Sequence, residues 1–306
     1  MRALIPLAGR GTRLLPHSAG RQKALLPVGG RPVLDHILEP LVAAGVSEII
    51  LVVGFLGDQV REHMAGYDRA KVTFVEQTSQ EGLGHAVYLG LTGGLPTGAG
   101  RGEPIVIVLA DTLFELDYAA FLNTASNVIG VVEVDNPQAF GVVQTEGSRV
   151  IGMVEKPKQP RTNLAIAGIY RLDDTDSLQR ALGALIKDEV KTRGEFQLTD
   201  ALNNMLARGE PFQVQRVERW LDCGTPETLL ATNAYLLESL GGAFVYPDAV
   251  VAGTTLRASS VMAGCLILNS TLDNCIVLPG ARLERCSIRG EVIAAGARLS
   301  GYTTGG

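Results

Sequence analysis

The chain has 306 residues, of which 46% are hydrophobic and 19% charged, and its formal net charge at pH 7 is −5. This length exceeds that of one usual domain. The negative net charge excludes a general nucleic-acid binder, which needs surplus lysine and arginine. Four cysteines without a C-x-x-C pair, four scattered histidines, no apolar run of membrane length and no signal-peptide pattern predict a cytoplasmic protein without a zinc site, disulfide framework or membrane contact.

The chain opens with a predicted strand, Ala3–Leu7, that leads into a loop containing Gly9 and Gly11. Glycine lets backbone N–H groups approach an anion closely, and the cations Arg13 and Lys23 follow, so this loop is a candidate phosphate cradle. It matches neither the P-loop nor the dinucleotide fingerprint. An ordinary strand-to-helix turn is the alternative.

The first 110 residues alternate strand and helix patterns, which predicts a mostly parallel sheet covered on both faces. The predicted helices are Val33–Ala44, Leu56–Met64 and Leu83–Leu91, and the further predicted strands are Glu48–Val53, Val72–Val75 and Ile105–Leu109.

After Asp111 the predicted strands follow one another closely, and helices come later. The strands are Ile129–Val134, Gly141–Gln144, Val150–Val154 and Leu164–Arg171, and the helices are Thr175–Ile186, Gln197–Ala207 and Pro226–Ser239. No linker-like composition interrupts this part, so residues 1–241 are predicted to form one domain.

From about Gly242 onwards, large apolar residues recur every five or six positions, at Leu256, Val261, Ile267, Leu272, Val277, Leu283, Ile288, Ile293 and Leu299. This spacing is typical of the hexapeptide repeat of a β-solenoid, with each apolar side chain pointing inward. The small residues Cys265, Cys275 and Cys286 suit its corners or interior. An irregular β-hairpin appendage is the alternative for residues 242–306.

Two aspartates are candidate metal ligands. Asp111 follows the apolar strand Ile105–Leu109, and ligands bind beyond the carboxyl ends of strands in open α/β sheets. Asp222 lies in a strand-like apolar setting, where an unpaired carboxylate is costly to bury. Mg²⁺ needs only one or two carboxylates together with phosphate oxygens and water. A helix cap or turn role is the alternative for each aspartate.

Two other positions are candidate ligand contacts. Lys156 lies between Glu155 and a proline that favours extended backbone, so its side chain is placed either to reach a phosphate or to remain a solvated edge charge. Gln77 follows the strand Val72–Val75, and its amide carries a donor and an acceptor that match the imide edge of uracil or thymine. An ordinary surface role is the alternative for Gln77.

Together these segments resemble the sugar-1-phosphate nucleotidyltransferases, and the longer glucose-1-phosphate thymidylyltransferases and the glucose-1-phosphate uridylyltransferases are the most similar branches. The resemblance covers nearly all of residues 1–240, on Leu7–Leu14, Lys23–Val28, Gly82–Ala86, Asp111, Phe140–Val143, Glu155–Pro157, Arg193–Glu195, Leu198–Asp200 and Leu221–Thr225. It implies an α/β fold, with a Rossmann-like (GT-A-like) domain with a mixed, mostly parallel sheet over residues 1–241 and a short left-handed β-helix over 242–306.

The resemblance also implies the reaction and the residues that perform it. A sugar 1-phosphate, by default glucose 1-phosphate, attacks the α-phosphorus of a pyrimidine nucleoside triphosphate, with dTTP favoured and UTP close, and pyrophosphate leaves. The implied residues are Arg13, Lys23 and Lys156 for catalysis; Leu7, Gly9, Gly11, Thr12, Gln77 and Gly82 for the nucleotide; Gly141, Glu155, Lys156 and Gly168 for the sugar phosphate; and Asp111 and Asp222 for Mg²⁺. A homo-oligomer that binds no nucleic acid is expected.

The sequence departs from the family pattern in two places. The first loop has one glycine or serine fewer than the thymidylyltransferase form, and Gln22 replaces the proline usual before the lysine. Neither change removes a phosphate-contacting group. A mannose-1-phosphate guanylyltransferase and a non-catalytic nucleotide-sugar sensor or scaffold are the alternative functions.

Overall fold

The structure is a computed structural model that describes residues 1–14, 20–95 and 102–304. The chain folds into two compact units. Unit 1 comprises Met1–Gly9, Ile37–Ala110 and Phe114–Trp220, and unit 2 comprises Arg10–His36, Asp111–Leu113 and Leu221–Gly306. Within the described ranges, no helix combines the length and the hydropathy needed to cross a bilayer.

The α-helices agree with the sequence patterns to within a few residues. They are α1 (Val33–Ala43), α2 (Gly57–His63), α3 (Leu83–Gly94), α4 (Tyr118–Asn123), α5 (Thr175–Lys187), α6 (Leu198–Ala207) and α7 (Pro226–Glu238). Helix α4 was not predicted, because six residues are too few to show helical periodicity. Its start is fixed by Asp117, whose carboxylate accepts a hydrogen bond of 2.9 Å from the backbone N–H of Ala120.

Unit 1 is built on a nine-stranded mixed sheet. In spatial order its strands are Lys71–Glu76, Glu48–Val53, Arg2–Pro6, Ile105–Val108, Leu164–Leu172, Asn127–Glu133, Phe212–Arg216, Arg149–Glu155 and Gly141–Glu146. The first four strands are parallel to one another. This part fits the predicted alternation, since parallel neighbours need crossover connections.

The prediction of a mostly parallel sheet is wrong, although the prediction of a mixed sheet is confirmed. Four pairings are parallel and five are antiparallel among the described strands. The strand Leu164–Leu172 runs antiparallel to both of its main neighbours. A short turn joins the antiparallel strands Gly141–Glu146 and Arg149–Glu155, whereas Phe212–Arg216, which follows α5 and α6, pairs in parallel with Asn127–Glu133.

The core of unit 1 lies between this sheet and the helices α3, α5 and α6. Leu4 and Ile107 of the sheet belong to one buried cluster with Val87 of α3, Leu182 of α5 and Leu202 of α6. Ile105–Val108 is buried at all four positions, as a strand covered on both faces requires. The parallel strands of unit 1 are therefore anchored in a continuous apolar core.

Unit 2 contains a short hairpin (Pro27–Val28 with Arg31–Pro32), the helix α7 and an array of short strands from Ala243 to Ser300, here called the C-terminal strand array. The array consists of three parallel sheets. Their strands are Ala243–Val245, Ser259–Val261, Ile276–Val277 and Val292–Ile293; Val250–Ala252, Leu266–Leu268, Arg282–Glu284 and Arg298–Ser300; and Thr255–Arg257, Thr271–Asp273 and Ser287–Arg289.

Paired strands of the C-terminal strand array are 16 residues apart in the sequence. Leu266 pairs with Arg282 and Arg282 with Arg298, which gives this spacing twice. The intervals of five, five and six between successive apolar residues add up to the same 16, so the sequence spacing reflects one buried side chain from each of the three sheets. The inward set is buried in one cluster that includes Val261, Ile267, Leu272, Cys265, Cys275 and Cys286. The last two residues of the predicted domain 242–306 lie outside the described residues.

Candidate active site

In unit 2 the first loop and the first lysine lie side by side. Gly11 has a φ of +61°, and a Cβ at this position would lie 3.1 Å from the Cβ of Lys23. The backbone N–H of Leu14 donates to the carbonyl of Gly11 at 3.0 Å, which closes a 3-10 turn over Thr12–Leu14. Glycine therefore supplies both the backbone angle and the close approach that Lys23 needs.

The lysine is held by a second 3-10 turn, Lys23–Leu25. The side-chain Oε1 of buried Gln22 accepts a hydrogen bond of 2.6 Å from the backbone N–H of Ala24, and the N–H of Leu26 donates to the carbonyl of Lys23 at 3.1 Å. Gln22 thus caps the turn, in the place where the family pattern has proline.

The ammonium Nζ of Lys23 lies 2.6 Å from Oδ2 of Asp111, and both side chains are less than one-fifth exposed. Burial alone would raise the pKa of Asp111, but the charge and hydrogen bond of Lys23, with a smaller contribution from Arg13, hold that pKa below its usual value. Asp111 is therefore ionised at neutral pH. Its backbone carbonyl also accepts a hydrogen bond of 2.8 Å from the N–H of Cys223.

The hydrogen bond from the N–H of Cys223 to the carbonyl of Asp111 brings the preceding residue, Asp222, close to Asp111. Burial raises the pKa of Asp222 above its usual value, and the negative charge of Asp111 raises it further. Its Oδ1 accepts a hydrogen bond of 3.2 Å from the N–H of Gly224. A Cβ at Gly224 would lie 3.0 Å from this oxygen and 3.2 Å from Nη2 of Arg13. Unit 2 thus brings together both predicted metal ligands and both predicted triphosphate cations.

This pair of carboxylates suits a divalent cation. Within the part of the chain that the structure describes, no group of three or more His, Cys, Asp or Glu side chains could hold a metal ion by itself. Mg²⁺ is commonly bound by one or two carboxylates and completes its shell with phosphate oxygens and water. A buried carboxylate whose ionisation is opposed by a second carboxylate gains most from such a cation.

A second group of predicted residues lies in unit 1, at the start of α3. Nε2 of Gln77 lies 3.1 Å from Nδ1 of His85 and donates to the carbonyl of Gly82 at 3.4 Å. Gln77 is 6% exposed. Because Nε2 is engaged with the carbonyl of Gly82 and lies against Nδ1 of His85, Oε1 is the amide atom left to accept a hydrogen bond from a ligand.

Two glycines bring the start of α3 against a neighbouring segment. Gly82 has a φ of +103°, and a Cβ there would lie 2.7 Å from the carbonyl oxygen of Phe196. The N–H of Gly84 donates to the same carbonyl at 2.8 Å, and the N–H of Phe196 donates to the carbonyl of Glu81 at 2.8 Å. His85 and Phe196, which sequence reasoning gave no role, therefore belong to the surroundings of Gln77.

The end of the first strand lies near the same group within unit 1. Leu7 is buried, and its N–H donates to the carbonyl of Val52 at 2.7 Å. A Cβ at Gly54 would lie 2.9 Å from both the Cβ of Ala8 and the carbonyl oxygen of Gln77. Gly9, which follows Ala8 in the chain, is exposed.

The third group contains the predicted sugar-phosphate residues, also in unit 1. Oε2 of Glu155 accepts a hydrogen bond of 2.7 Å from Oγ1 of Thr199, and Oε1 of Glu155 lies 3.4 Å from Nζ of Lys156. Lys156 has a φ of +42°, and its carbonyl accepts a hydrogen bond of 2.8 Å from Nη2 of Arg193. A Cβ at Gly141 would lie 2.9 Å from Oε2 of Glu155.

Gly168 lies on a neighbouring strand, with a φ of +104°, and its carbonyl accepts a hydrogen bond of 2.9 Å from the N–H of Leu109. Beside it, the indole N–H of Trp220 donates to the carbonyl of Ala167 at 2.9 Å, and its ring meets that of Phe140 edge-on. Sequence reasoning gave Trp220 and Phe140 no role, nor Thr199 and Arg193. The signal for these four was their position inside or beside segments that resemble the family.

Residues 2–239 match the family model described as Nucleotidyl transferase. The chain is 34% identical to the bifunctional protein GlmU of Methanococcus vannielii, over 78% of this chain and 56% of that protein. It is 29% identical to the glucose-1-phosphate thymidylyltransferase of Streptomyces antibioticus, over 98% of this chain and 80% of that protein. The chain therefore spans about half the length of the curated GlmU relatives that it matches.

Two solved structures are similar. One is described as a candidate glucose-1-phosphate thymidylyltransferase of Bacillus anthracis in complex with a sucrose, at 27% identity and a TM-score of 0.66, over 77% of this chain and 95% of that one. The other, a UDP-glucose pyrophosphorylase complexed with UDP-glucose, is 24% identical with a TM-score of 0.64, over 78% of this chain and 98% of that one. At that identity, the second likeness shows the fold alone.

Proposed function

The chain belongs to the nucleotidyl transferase family, and we propose that it makes a nucleoside diphosphate sugar and pyrophosphate from a sugar 1-phosphate and a pyrimidine nucleoside triphosphate. The sugar 1-phosphate is proposed to be glucose 1-phosphate, and dTTP is favoured over UTP. The observation that carries the proposal is the cluster of Arg13, Lys23, Asp111 and Asp222, two cations and two carboxylates, in one compact unit.

The chemistry is a direct displacement. A phosphate oxygen of the sugar 1-phosphate forms a bond to the α-phosphorus, and the bond from that phosphorus to the bridging oxygen of pyrophosphate breaks. The protein has to position two anions and offset their repulsion, and a protein nucleophile is not required. Cys223 supports this view, since burial raises the pKa of its thiol and keeps it protonated at neutral pH.

Lys23 and Arg13 are proposed to serve the triphosphate. Lys23 would hold the phosphates, and Arg13 would offset the charge that develops on the departing pyrophosphate. Mg²⁺ would be held by Asp111 and Asp222 and would supply positive charge to the phosphate oxygens. Gly9, Gly11, Thr12 and Leu7 would offer backbone contacts to the nucleotide.

The base is proposed to be read through Gln77. Its Nε2 already contacts His85 and donates to the carbonyl of Gly82, so Oε1 would accept the imide N–H of uracil or thymine. A pyrimidine imide offers that donor between two carbonyls. The backbone at Gly82 would face the same ring.

The sugar phosphate is proposed to bind at the third group of residues. Glu155, held by Thr199, would accept hydrogen bonds from sugar hydroxyls. Lys156 would neutralise the attacking phosphate, and Gly141 and Gly168 would leave room for the ring.

We further propose that residues 1–241 form the catalytic domain and that residues 242–306 form a left-handed β-helix of hexapeptide-like repeats. The three parallel sheets and their 16-residue spacing support a helical course of the strands. A homo-oligomer is proposed on the family resemblance.

The test is pyrophosphate release from a matrix of dTTP, UTP, GTP, CTP and ATP against glucose 1-phosphate, mannose 1-phosphate and N-acetylglucosamine 1-phosphate, with and without Mg²⁺. We expect release with Mg²⁺ that is fastest for dTTP or UTP with glucose 1-phosphate. Preference for GTP with mannose 1-phosphate would favour a guanylyltransferase. No release from any pair would favour a sensor or scaffold.

A further inference from the structure

Helix α7 connects the candidate active site to the C-terminal strand array within unit 2, and one of its side chains is completely buried. Asn233 lies in the second half of the helix and has no exposed surface. A buried amide must have hydrogen-bond partners, because each unmet donor or acceptor is costly.

Asn233 links helix α7 to two other segments of the chain. Its Oδ1 accepts hydrogen bonds from the backbone N–H of Gly29, at 3.0 Å, and from Oγ of Ser260, at 2.6 Å. Its Nδ2 donates to the carbonyl of Ala258 at 3.3 Å. Ser260 and Ala258 belong to the C-terminal strand array and its corner, whereas Gly29 belongs to the hairpin that follows Lys23.

The path from Gly29 back to Lys23 is short and rigid. Gly29 lies six positions after Lys23 in the sequence, and Leu26 and Val28 between them are fully buried. The N–H of Val33 donates to the carbonyl of Leu26 at 3.0 Å. We therefore expect a displacement at Gly29 to reach the turn that carries Lys23.

The neighbouring residue of α7 holds the second candidate metal ligand. Oγ1 of Thr232 donates to the backbone carbonyl of Asp222 at 2.9 Å. Consecutive residues of one helix therefore fix the backbone of Asp222 and the hairpin behind Lys23.

A second contact ties the same hairpin to the array. Gly30 has a φ of +83°, and a Cβ there would lie 2.6 Å from ring atoms of Phe244, in the first strand of the array. The array therefore meets the hairpin at two adjacent residues, by a hydrogen bond through Asn233 and by direct packing on Gly30.

We propose that Asn233 is a positioning residue that sets Lys23 and Asp222 in register, and that Ser260 of the C-terminal strand array locks Asn233 in place. The inference rests on the proposed function, which assigns the triphosphate to Lys23 and the metal to Asp222. It gives the array a role in the reaction at a distance from the reacting atoms.

The test compares two buried serines of the array. Ser260→Ala removes the hydroxyl that holds Asn233. Ser270→Ala is the matched control, because Oγ of Ser270 donates to the carbonyl of Leu268 at 2.8 Å and accepts from the N–H of Cys286 at 3.0 Å, both inside the array. Asn233→Leu removes the whole set of contacts. If Asn233→Leu does not fold, Ser260→Ala alone decides the question.

Two readouts are used. The first is amide hydrogen exchange of the peptide covering residues 24–33, without any ligand, where we expect exchange about fivefold faster in Ser260→Ala and unchanged in Ser270→Ala. The second is steady-state kinetics, where we expect a rise of about fivefold in KM for the nucleoside triphosphate or in the Mg²⁺ concentration required. KM for the sugar 1-phosphate should not move, because Glu155 and Lys156 belong to unit 1.

Equal exchange in the two serine variants would overturn the proposal, as would a uniform loss of kcat with no change in KM. If the unaltered protein releases no pyrophosphate with any substrate pair, the proposed function fails separately. The exchange comparison then still decides whether Asn233 controls the Lys23 segment.

Discussion

Lys23 and Asp111, which are 88 residues apart in the sequence, form an ion pair with 2.6 Å between Nζ and Oδ2. The residue proposed to hold the triphosphate therefore already fixes the carboxylate proposed to hold the metal. The carboxylate of Asp111 keeps its charge in a largely buried place because the charge and hydrogen bond of Lys23 offset its desolvation. The first prediction tests this coupling through stability in the absence of a bound ligand.

Lys23→Gln should lower turnover by about 10²-fold or more, because it removes a cation from the triphosphate. It should also raise the pKa of Asp111, since burial is then opposed only by the smaller contributions of Arg13 and a backbone hydrogen bond. A carboxylate with a lowered folded-state pKa contributes stability that is present above its unfolded pKa and is lost as pH falls through the folded one. In the variant, the loss of stability that protonation of Asp111 causes on acidification should therefore shrink or reverse, and the free energy of unfolding at neutral pH should fall.

The measurement for Lys23→Gln is thermal unfolding in metal-free buffer from about pH 3 to 7, together with pyrophosphate release. Lys71→Gln, at an exposed position of an edge strand, is the control and should leave the pH dependence of unfolding and the rate of pyrophosphate release unchanged. An unaltered pH dependence in Lys23→Gln would show that the ion pair does not set the ionisation of Asp111.

Asp222→Asn should stabilise the metal-free protein while weakening its response to Mg²⁺. The folded-state pKa of Asp222 is raised, so the ionised form is less stable in the folded chain, and stability is lost as pH rises through that pKa. Asparagine keeps the acceptor for the N–H of Gly224 without the charge. We expect Tm in EDTA at neutral pH to rise by about 1–3 °C.

The same variant should show little of the rise in Tm that Mg²⁺ produces in the unaltered protein, because ligand binding to the folded state alone stabilises it. Turnover at low Mg²⁺ should fall more than turnover at high Mg²⁺. A Mg²⁺ titration that superimposes on that of the unaltered protein would remove Asp222 from the metal site.

Gly224→Ala tests the packing between Asp222 and Arg13. A Cβ there would lie 3.0 Å from Oδ1 of Asp222 and 3.2 Å from Nη2 of Arg13, so both groups must shift. Since Gly224 does not have a positive φ, the backbone tolerates alanine. We expect turnover to fall about tenfold or more with little change in Tm.

The control for this variant is Gly66→Ala, at an exposed glycine where a Cβ meets no atom within 4 Å and φ is not positive. It should retain full turnover. If Gly224→Ala also keeps full turnover, Arg13 is not held in its working position by this contact.

Sequence patterns predicted the elements that carry the site better than the contacts within it. The strand Glu48–Val53 and the start of α3 at Leu83 were correctly placed, because buried strands and amphipathic helices have periodicities that are local in sequence. The pairing of Lys23 with Asp111 has no such local signal. It depends on which strand ends meet, and the family resemblance, not periodicity, pointed to it.

The departure at Gln22 shows why a motif alone is incomplete. From the sequence, replacement of proline was a neutral change that spared the phosphate contacts. In the structure the amide of Gln22 caps the turn of Lys23, so it supplies by a hydrogen bond the order that proline would supply by its ring. The role of Asn233 was likewise invisible, since its partners come from segments far apart in the chain.

Gln77→Met should weaken recognition of the base. Methionine retains the length of the side chain but removes the acceptor proposed for the imide N–H, so KM for dTTP and UTP should rise about tenfold. KM for the sugar 1-phosphate should stay constant. Steady-state kinetics with both nucleotides measure this, and exposed Gln213→Met is the control. Equal KM values in Gln77→Met and the unaltered protein would mean that Gln77 does not read the base.

Gly141→Ala should impair the sugar pocket and leave nucleotide binding intact. A Cβ at Gly141 would lie 2.9 Å from Oε2 of Glu155 and 3.1 Å from Oγ1 of Thr199, the two atoms that share a hydrogen bond of 2.7 Å. The methyl group therefore has to displace Glu155 or break that bond. We expect KM for glucose 1-phosphate to rise about tenfold, with KM for the nucleoside triphosphate unchanged.

The control for Gly141→Ala lies on the adjacent strand. Gly152 pairs with Gln144 in the same ladder, and a Cβ there would meet only the side-chain oxygen of Gln144, at an ordinary 3.6 Å. Gly152→Ala therefore adds the same methyl group to the same two strands without contact to Glu155, and its KM values should not change. A rise in KM for glucose 1-phosphate in both variants would indicate a general disturbance of the strands and would contradict a sugar pocket built on Glu155 and Thr199.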